Sequence, residues 1–502
     1  MKNTIKITLS ASINILISIG LIILVAFCFE SNTPPNEWET SFAWISLFLF
    51  LLQIISLIRH GESFYSFKIW LIIFLHLFML GRLYLSGLLG INKIFSEGYD
   101  RDVFDFSKYS ESIIFKSIIF SLMIIQILST VFLICKNKKQ VSNSYHYYDG
   151  NKIFNIGLLL LVVGIPCHLI YSVRMVYLGQ LGGSYDAITE SSGLIDDFAN
   201  FMIYGLMAIF ISKKLKKSTT FLILLISMTY LVFIMLRTGD RRYQTVSILI
   251  LILIYIKNYS RKFNFKYIAL AIFAYLLLNA FIVLRNVRTS QLNDMDLILK
   301  MFSESLLGGE ILHQTLYEFG VSIYTVALAI KFVPSSLHFK FGTTILSGII
   351  SIIPVGFLYQ NESFFQYGRI AAELMQLGGT TVGGSMIQDF YSNFSIFGSI
   401  IAIVIFGIIL NKIFPYIDNK KVFPSNAYSE LKYYVLFYAL IHLARASFTE
   451  VIRTAVWGIA AVYFAKIIVA SIWHRQETNK NVTYTKKYEV MIYDKGSGQK
   501  TS

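Results

Sequence analysis

The chain has 502 residues, of which 55% are hydrophobic and 15% charged, and its formal net charge is +15. Apolar runs near the roughly 20 residues needed to cross a bilayer recur along its whole length, which excludes a soluble multidomain protein. The basic balance does not indicate nucleic acid, because the lysines cluster in short connectors between those runs.

Backbone groups in lipid must be satisfied within their own segment, so the expected fold is all-α. The sequence predicts a polytopic membrane helical bundle of about 12 transmembrane helices, within a range of about 11–14. In chain order the predicted spans are 7–29, 41–58, 67–89, 112–135, 153–172, 198–212, 219–236, 243–256, 267–284, 395–413, 431–446 and 454–473. The first is too long for the apolar part of a cleavable signal peptide and reads as a membrane helix. Cys28, Cys135 and Cys167 lie in or at the ends of apolar runs and form no disulfide framework.

Every other connector collects lysine: Lys2 and Lys6, then Lys68, then Lys136, Lys138, Lys139 and Lys152. Lys213, Lys214, Lys216 and Lys217 follow, then Lys257, Lys262 and Lys266, then Lys420 and Lys421. The positive-inside rule places these connectors and both termini in the cytoplasm. The expected divisions are an N-terminal transmembrane region (1–284), a large periplasmic loop (285–394), a C-terminal transmembrane region (395–473) and a polar, disordered cytoplasmic tail (474–502). Two apolar pieces of the loop, Val321–Val333 and Thr343–Phe357, are interrupted by or end near Lys331, Pro334 and Pro354. They are expected as surface or re-entrant helices.

The stretch Arg369–Ser399 is dense in glycine (Gly378, Gly379, Gly383, Gly384) and leads into an apolar run. It carries Asp389, Tyr391 and Asn393 at i, i+2 and i+4, and reads as one wall of an active site at the membrane surface. The plainer reading is a loop that reverses the chain. Arginine favours the side opposite the lysine connectors, with Arg174, Arg237, Arg241, Arg242, Arg285, Arg288, Arg445 and Arg453 at outer helix ends or loops. Guanidinium suits multidentate recognition of phosphate, and such an array fits a lipid-linked pyrophosphate. Helix-end anchoring and structural ion pairs are the alternative. Arg82 and Lys116 are the main charges within spans.

External candidates for an acid or base are Glu310, Glu318, Glu373, Asp389, His313 and His442. No HExxH, P-loop or paired CxxC occurs, so the sequence carries no metal, nucleotide or other cofactor signature.

Two short motifs carry a family resemblance: the basic turn Arg237-Thr-Gly-Asp-Arg241, and Asp389, Tyr391, Asn393 and Phe394 followed by Gly398. With the segment from Phe341-Gly-Thr-Thr-Ile-Leu to Pro354, the chain resembles the bacterial O-antigen polymerases of the Wzy type. Two departures are an Asp where the acid is more typically Glu, and Ser395 where Gly commonly follows. The resemblance implies a metal-independent membrane glycosyltransferase of the broad GT-C type in the bacterial inner membrane, working on the periplasmic face. It would move a growing glycan from undecaprenyl pyrophosphate to the non-reducing end of a new lipid-linked repeat unit. On that reading Asp389, Glu318 or His442 assists the acceptor hydroxyl. Arg174, Arg237, Arg241, Arg242, Arg285, Arg288, Arg445, Tyr391 and Asn393 hold the substrates. The implied partners are the undecaprenyl-pyrophosphate-linked oligosaccharide, the bilayer and a chain-length regulator, with no nucleic acid. A lipid-linked oligosaccharide flippase and an O-antigen ligase are the competing readings, and a non-catalytic scaffold is the third.

Overall fold

A computed structural model describes residues 9–31, 33–90, 110–135, 149–180, 194–238, 242–259, 300, 303, 316–317, 319–353, 384–415, 426–448 and 450–472. Among the described residues the regular structure is helical, with no strand. The helices are α1 Leu9–Glu30, α2 Trp38–Arg59, α3 Phe67–Leu89, α4 Glu111–Ile134, α5 Gly150–Gln180, α6 Leu194–Ser212, α7 Lys217–Thr238 and α8 Arg242–Tyr259. After them come α9 Ile323–Phe332, α10 Thr343–Ile350, α11 Met386–Ile413 and α12 Ala427–Leu440, then α13 Glu450–Ile472. Among the described residues nine helices, α1 to α7 with α11 and α13, are long and apolar enough to cross a membrane. The protein is a multi-pass helical membrane protein. The predicted spans fall on these helices, except 267–284, which lies outside the described residues.

α4 occupies the centre and is buried along nearly its whole length. Around it, α1 and α11 keep apolar stripes outward. On α11 these are Phe397, Ile401, Ile405 and Ile409, with Phe397 70% exposed. Surfaces of this kind face lipid chains. Polar side chains inside the bundle find partners, as a low-dielectric interior requires. Gln53 donates to Gln126 at 2.7 Å, and Gln126 donates to Asn14 at 3.0 Å. His76 bridges Tyr84 (2.7 Å) and Gln53 (2.9 Å).

The two ends of the bundle differ. At one, Lys68 pairs with Glu62 and Lys257 with Glu430, each at 2.7 Å. At the other lie the starts of α2 and α4, where the Trp38 indole donates to Glu111 at 2.8 Å. The two main charges within predicted spans, Arg82 and Lys116, have partners at this second end. The Arg82 guanidinium lies 4.0 Å from the centre of the Tyr317 ring, and its Nε donates to the Tyr317 carbonyl at 3.3 Å. Lys116 donates to the Phe29 carbonyl at 3.2 Å, near the C-terminal end of α1, where a cation is favoured.

The two helices expected at a surface or as re-entrant elements behave differently. α9, preceded by a 3-10 turn over Gly320–Ser322, is buried among α3, α4 and α11. Its residues are apolar nearly all round, and such a helix belongs inside a bundle. Gly81 and Gly320 permit the contact, because a Cβ on Gly320 would lie 2.4 Å from the Arg82 nitrogen. α10 buries Thr344, Ser347 and Gly348 and leaves Leu346 and Ile349 exposed.

α11 begins well before the predicted start at 395. Ser385 and Gln388 form a reciprocal capping box that starts the helix at Met386. Gln388, Asp389, Ser392 and Asn393 are all buried, so this polar turn is interior and not loop. Ser395, with φ 59° and ψ −165°, breaks the helical geometry between this piece and the apolar run that follows.

Candidate active site

Helix ends from distant parts of the chain converge at the end opposite the Lys68 and Lys257 pairs. α5 and α6 approach closely at Gly164, where a Cβ would meet the Met202 nitrogen at 2.1 Å. That packing sets Arg174 of α5 3.6 Å from Asp196 of α6. The next residue, Asp197, accepts from Nε and Nη2 of Arg453 at 3.0 and 2.7 Å. One turn further, Asn200 accepts from the Tyr438 hydroxyl at 2.9 Å.

The starts of α8 and α13 meet through a hydrogen bond from the Tyr243 hydroxyl to the Glu450 carboxylate. The His442 ring lies 4.7 Å from the Tyr243 ring and 5.5 Å from that of Tyr438. His442 belongs to a 3-10 turn, Ile441–Ala444, that ends α12. The turn closes with the Arg445 N–H donating to the His442 carbonyl at 2.8 Å. It presents the Arg445 guanidinium 5.7 Å from the Phe78 ring centre on α3. Among the described residues Arg174 and Arg453 each face an aspartate, whereas Arg445 faces no carboxylate within ion-pair distance.

Asp389 lies deeper. It is 2% exposed, and its Oδ2 accepts the Phe448 N–H at 2.8 Å. Phe448 lies just ahead of α13, where Val451 donates to the Ser447 carbonyl at 3.3 Å. The carboxylate therefore caps a helix N-terminus, where a negative charge is stabilised. Tyr391 donates to the Val333 carbonyl at 3.4 Å, and its ring packs on Phe120 at 5.4 Å. Asn393 donates to Thr344 Oγ1 at 2.6 Å and accepts from the Gly342 N–H at 2.8 Å. Gly342 has φ +88°, a conformation that favours glycine. The three motif residues are thus clamps that fix α13, α9 and the turn before α10.

Of the other residues singled out from sequence, Arg237 ends α7 in its last turn and Arg242 starts α8. Glu318, Arg241, Arg285 and Arg288 lie outside the described residues, as do Glu310, Glu373 and His313. Sequence reasoning placed Arg453 in the arginine array, with Glu450 next to it, and assigned no site role to Asp196, Asp197 or Tyr243. The signal for them is modest: acids and a phenol in the first turns of helices that start on the arginine side.

A family model described as O-antigen polysaccharide polymerase Wzy matches residues 11–477. The chain belongs to the O-antigen polysaccharide polymerase Wzy family. No curated protein and no solved structure matches it. Membership in the Wzy family gives the chain its general chemistry: glycan polymerisation in a membrane, on a lipid-linked oligosaccharide. For such a polymerase the useful groups are cations that hold an anionic leaving group and a base beside the sugar hydroxyl. Both residue types are present where α8, α12 and α13 meet.

Proposed function

We propose that this protein polymerises undecaprenyl-pyrophosphate-linked oligosaccharide repeat units of O-antigen or capsule type on the periplasmic face of a bacterial inner membrane, with both termini in the cytoplasm. The growing glycan is the donor, and a sugar hydroxyl at the non-reducing end of a new lipid-linked unit is the acceptor. The acceptor oxygen bonds to the anomeric carbon, and the bond from that carbon to the pyrophosphate oxygen breaks. The electron pair leaves with undecaprenyl pyrophosphate, and the hydroxyl proton passes to a protein base.

Family membership supports the polymerase chemistry. The observation that supports the location is Arg445: a partly exposed guanidinium at the arginine end, without a carboxylate partner among the described residues. Arg174 and Arg453, each held by an aspartate, are further guanidiniums at the same end of the bundle. Guanidiniums in a site screened from water stabilise the leaving pyrophosphate without a metal ion. Arg237, Arg241, Arg242, Arg285 and Arg288 are further candidates for that role.

The test is deletion of the gene in its native strain, with surface polysaccharide resolved on a gel. A polymerase deletion collapses the long ladder to core bearing a single repeat unit. Complete loss of attached units indicates the ligase or flippase reading, and an unchanged ladder removes the glycan reading altogether.

A further inference from the structure

At the lysine end of the bundle Lys68 pairs with Glu62, Lys152 with Asp149 and Lys257 with Glu430. Lys432 and Lys466 are arranged differently. Lys432 stands one turn along α12 from Tyr428, and Lys466 belongs to the last part of α13. Their ammoniums lie 5.0 and 4.4 Å from the centre of the same Tyr428 ring. Among the described residues no carboxylate comes within ion-pair distance of either. Lys466 is exposed, and Lys432 and Tyr428 are half-buried.

The phenol ring attracts each cation, but two cations drawn to one ring repel each other, and an anion shared between them offsets that cost. Lysines that only snorkel end separately in water; these two converge from different helices. The surrounding surface indicates the source of the anion. Tyr463 and Phe464, just before Lys466, are 54% and 62% exposed, and Ile467 and Ile468, just after it, are exposed as well. Tyrosine collects at the headgroup level of a bilayer, and apolar side chains left open beside it meet acyl chains. A soluble anion makes no use of that surround, whereas a phospholipid uses both parts of it.

We propose that Tyr428, Lys432 and Lys466 form a binding site for the phosphate of an anionic phospholipid, in the leaflet at the lysine end. The two ammoniums hold phosphate oxygens, the Tyr428 hydroxyl adds a third donor, and an acyl chain lies along Phe464 toward the bilayer centre. The bound lipid ties the start of α12 to the end of α13. The opposite ends of these helices are joined through Ile441–Phe448, the stretch that carries Arg445, so the lipid steadies the two supports of that stretch. The site stands independently of the polymerase reading.

The test is thermal unfolding of the purified full-length protein, stripped of lipid in a neutral detergent and titrated with phosphatidylglycerol or with phosphatidylcholine of the same chains. Phosphatidylglycerol should raise the midpoint saturably, by about 2–4 °C more than phosphatidylcholine. The double variant Lys432→Gln/Lys466→Gln should lose most of that difference. Lys216→Gln/Lys217→Gln, which removes the same charge from the connector before α7, should keep it. Equal shifts from the two lipids overturn the proposal, because any amphiphile would then serve. An undiminished difference in the Lys432→Gln/Lys466→Gln protein overturns it too, as does an equal loss in the Lys216→Gln/Lys217→Gln control, which would reduce the effect to net charge. If the first double variant does not accumulate, Lys432→Gln and Lys466→Gln are measured singly, and a wild-type difference in both overturns the assignment.

Discussion

Tyr243 and Glu450, 207 residues apart in the chain, are joined by a hydrogen bond from the phenol to the carboxylate. The contact ties the start of α8 to the start of α13, and the Tyr243 ring also lies 4.7 Å from that of His442. Arg453, with its partner Asp197, follows one turn along α13.

Arg445 should be the most sensitive cation in this place. Arg445→Ala is expected to lower polymer by about 100-fold or more, the scale of losing a preorganised donor to a developing anion. Arg445→Lys keeps the charge but loses the planar fork and should recover only part of it. Ladder intensity at matched protein abundance checks both.

Asp389 offers a different pattern. Asp389→Asn retains an oxygen that can accept the Phe448 N–H, so protein abundance and the ladder should both survive. Asp389→Ala removes the acceptor, leaves a buried N–H unsatisfied and should cost about 1–3 kcal/mol. Thermal unfolding in detergent reads the difference. A dead but stable Asp389→Asn protein would return this carboxylate to a direct chemical role.

Close packing at Gly320 should be equally exacting. A Cβ there would lie 2.4 Å from the backbone nitrogen and 2.7 Å from the Cγ of Arg82. Gly320→Ala is therefore expected to push the 3-10 turn and α9 off α3, with a cost of about 1–3 kcal/mol. Gly90→Ala, in open space at the end of α3 but at φ +63°, should cost only its local backbone strain. The two unfolding midpoints provide the comparison.

The membrane helices were legible because their signal is local: apolar runs of bilayer length, bounded by lysine connectors. The burial of α9 was partly legible too, since Ile323–Phe332 has little polar face to give to water. The early start of α11 was not. Gln388, Asp389, Ser392 and Asn393 look like a polar loop until their partners, the Phe448 N–H and Thr344 among them, are brought in from elsewhere. Arg82 stood out as a charge, but its support at Tyr317 comes from 235 residues away. The unequal placement of arginine pointed to one side of the membrane. Which arginines face aspartate and which do not depends on the packing of α5 on α6, and spacing along the chain does not carry that.

The most direct measurement is reconstitution. The purified protein in liposomes is given lipid-linked repeat units extracted from the deletion strain, with EDTA present and no other protein. A ladder of lipid-linked polymer, absent with Arg445→Ala, is the result this account predicts. Repeat units that remain single with the wild-type protein, or a ladder that needs a divalent ion, would contradict it.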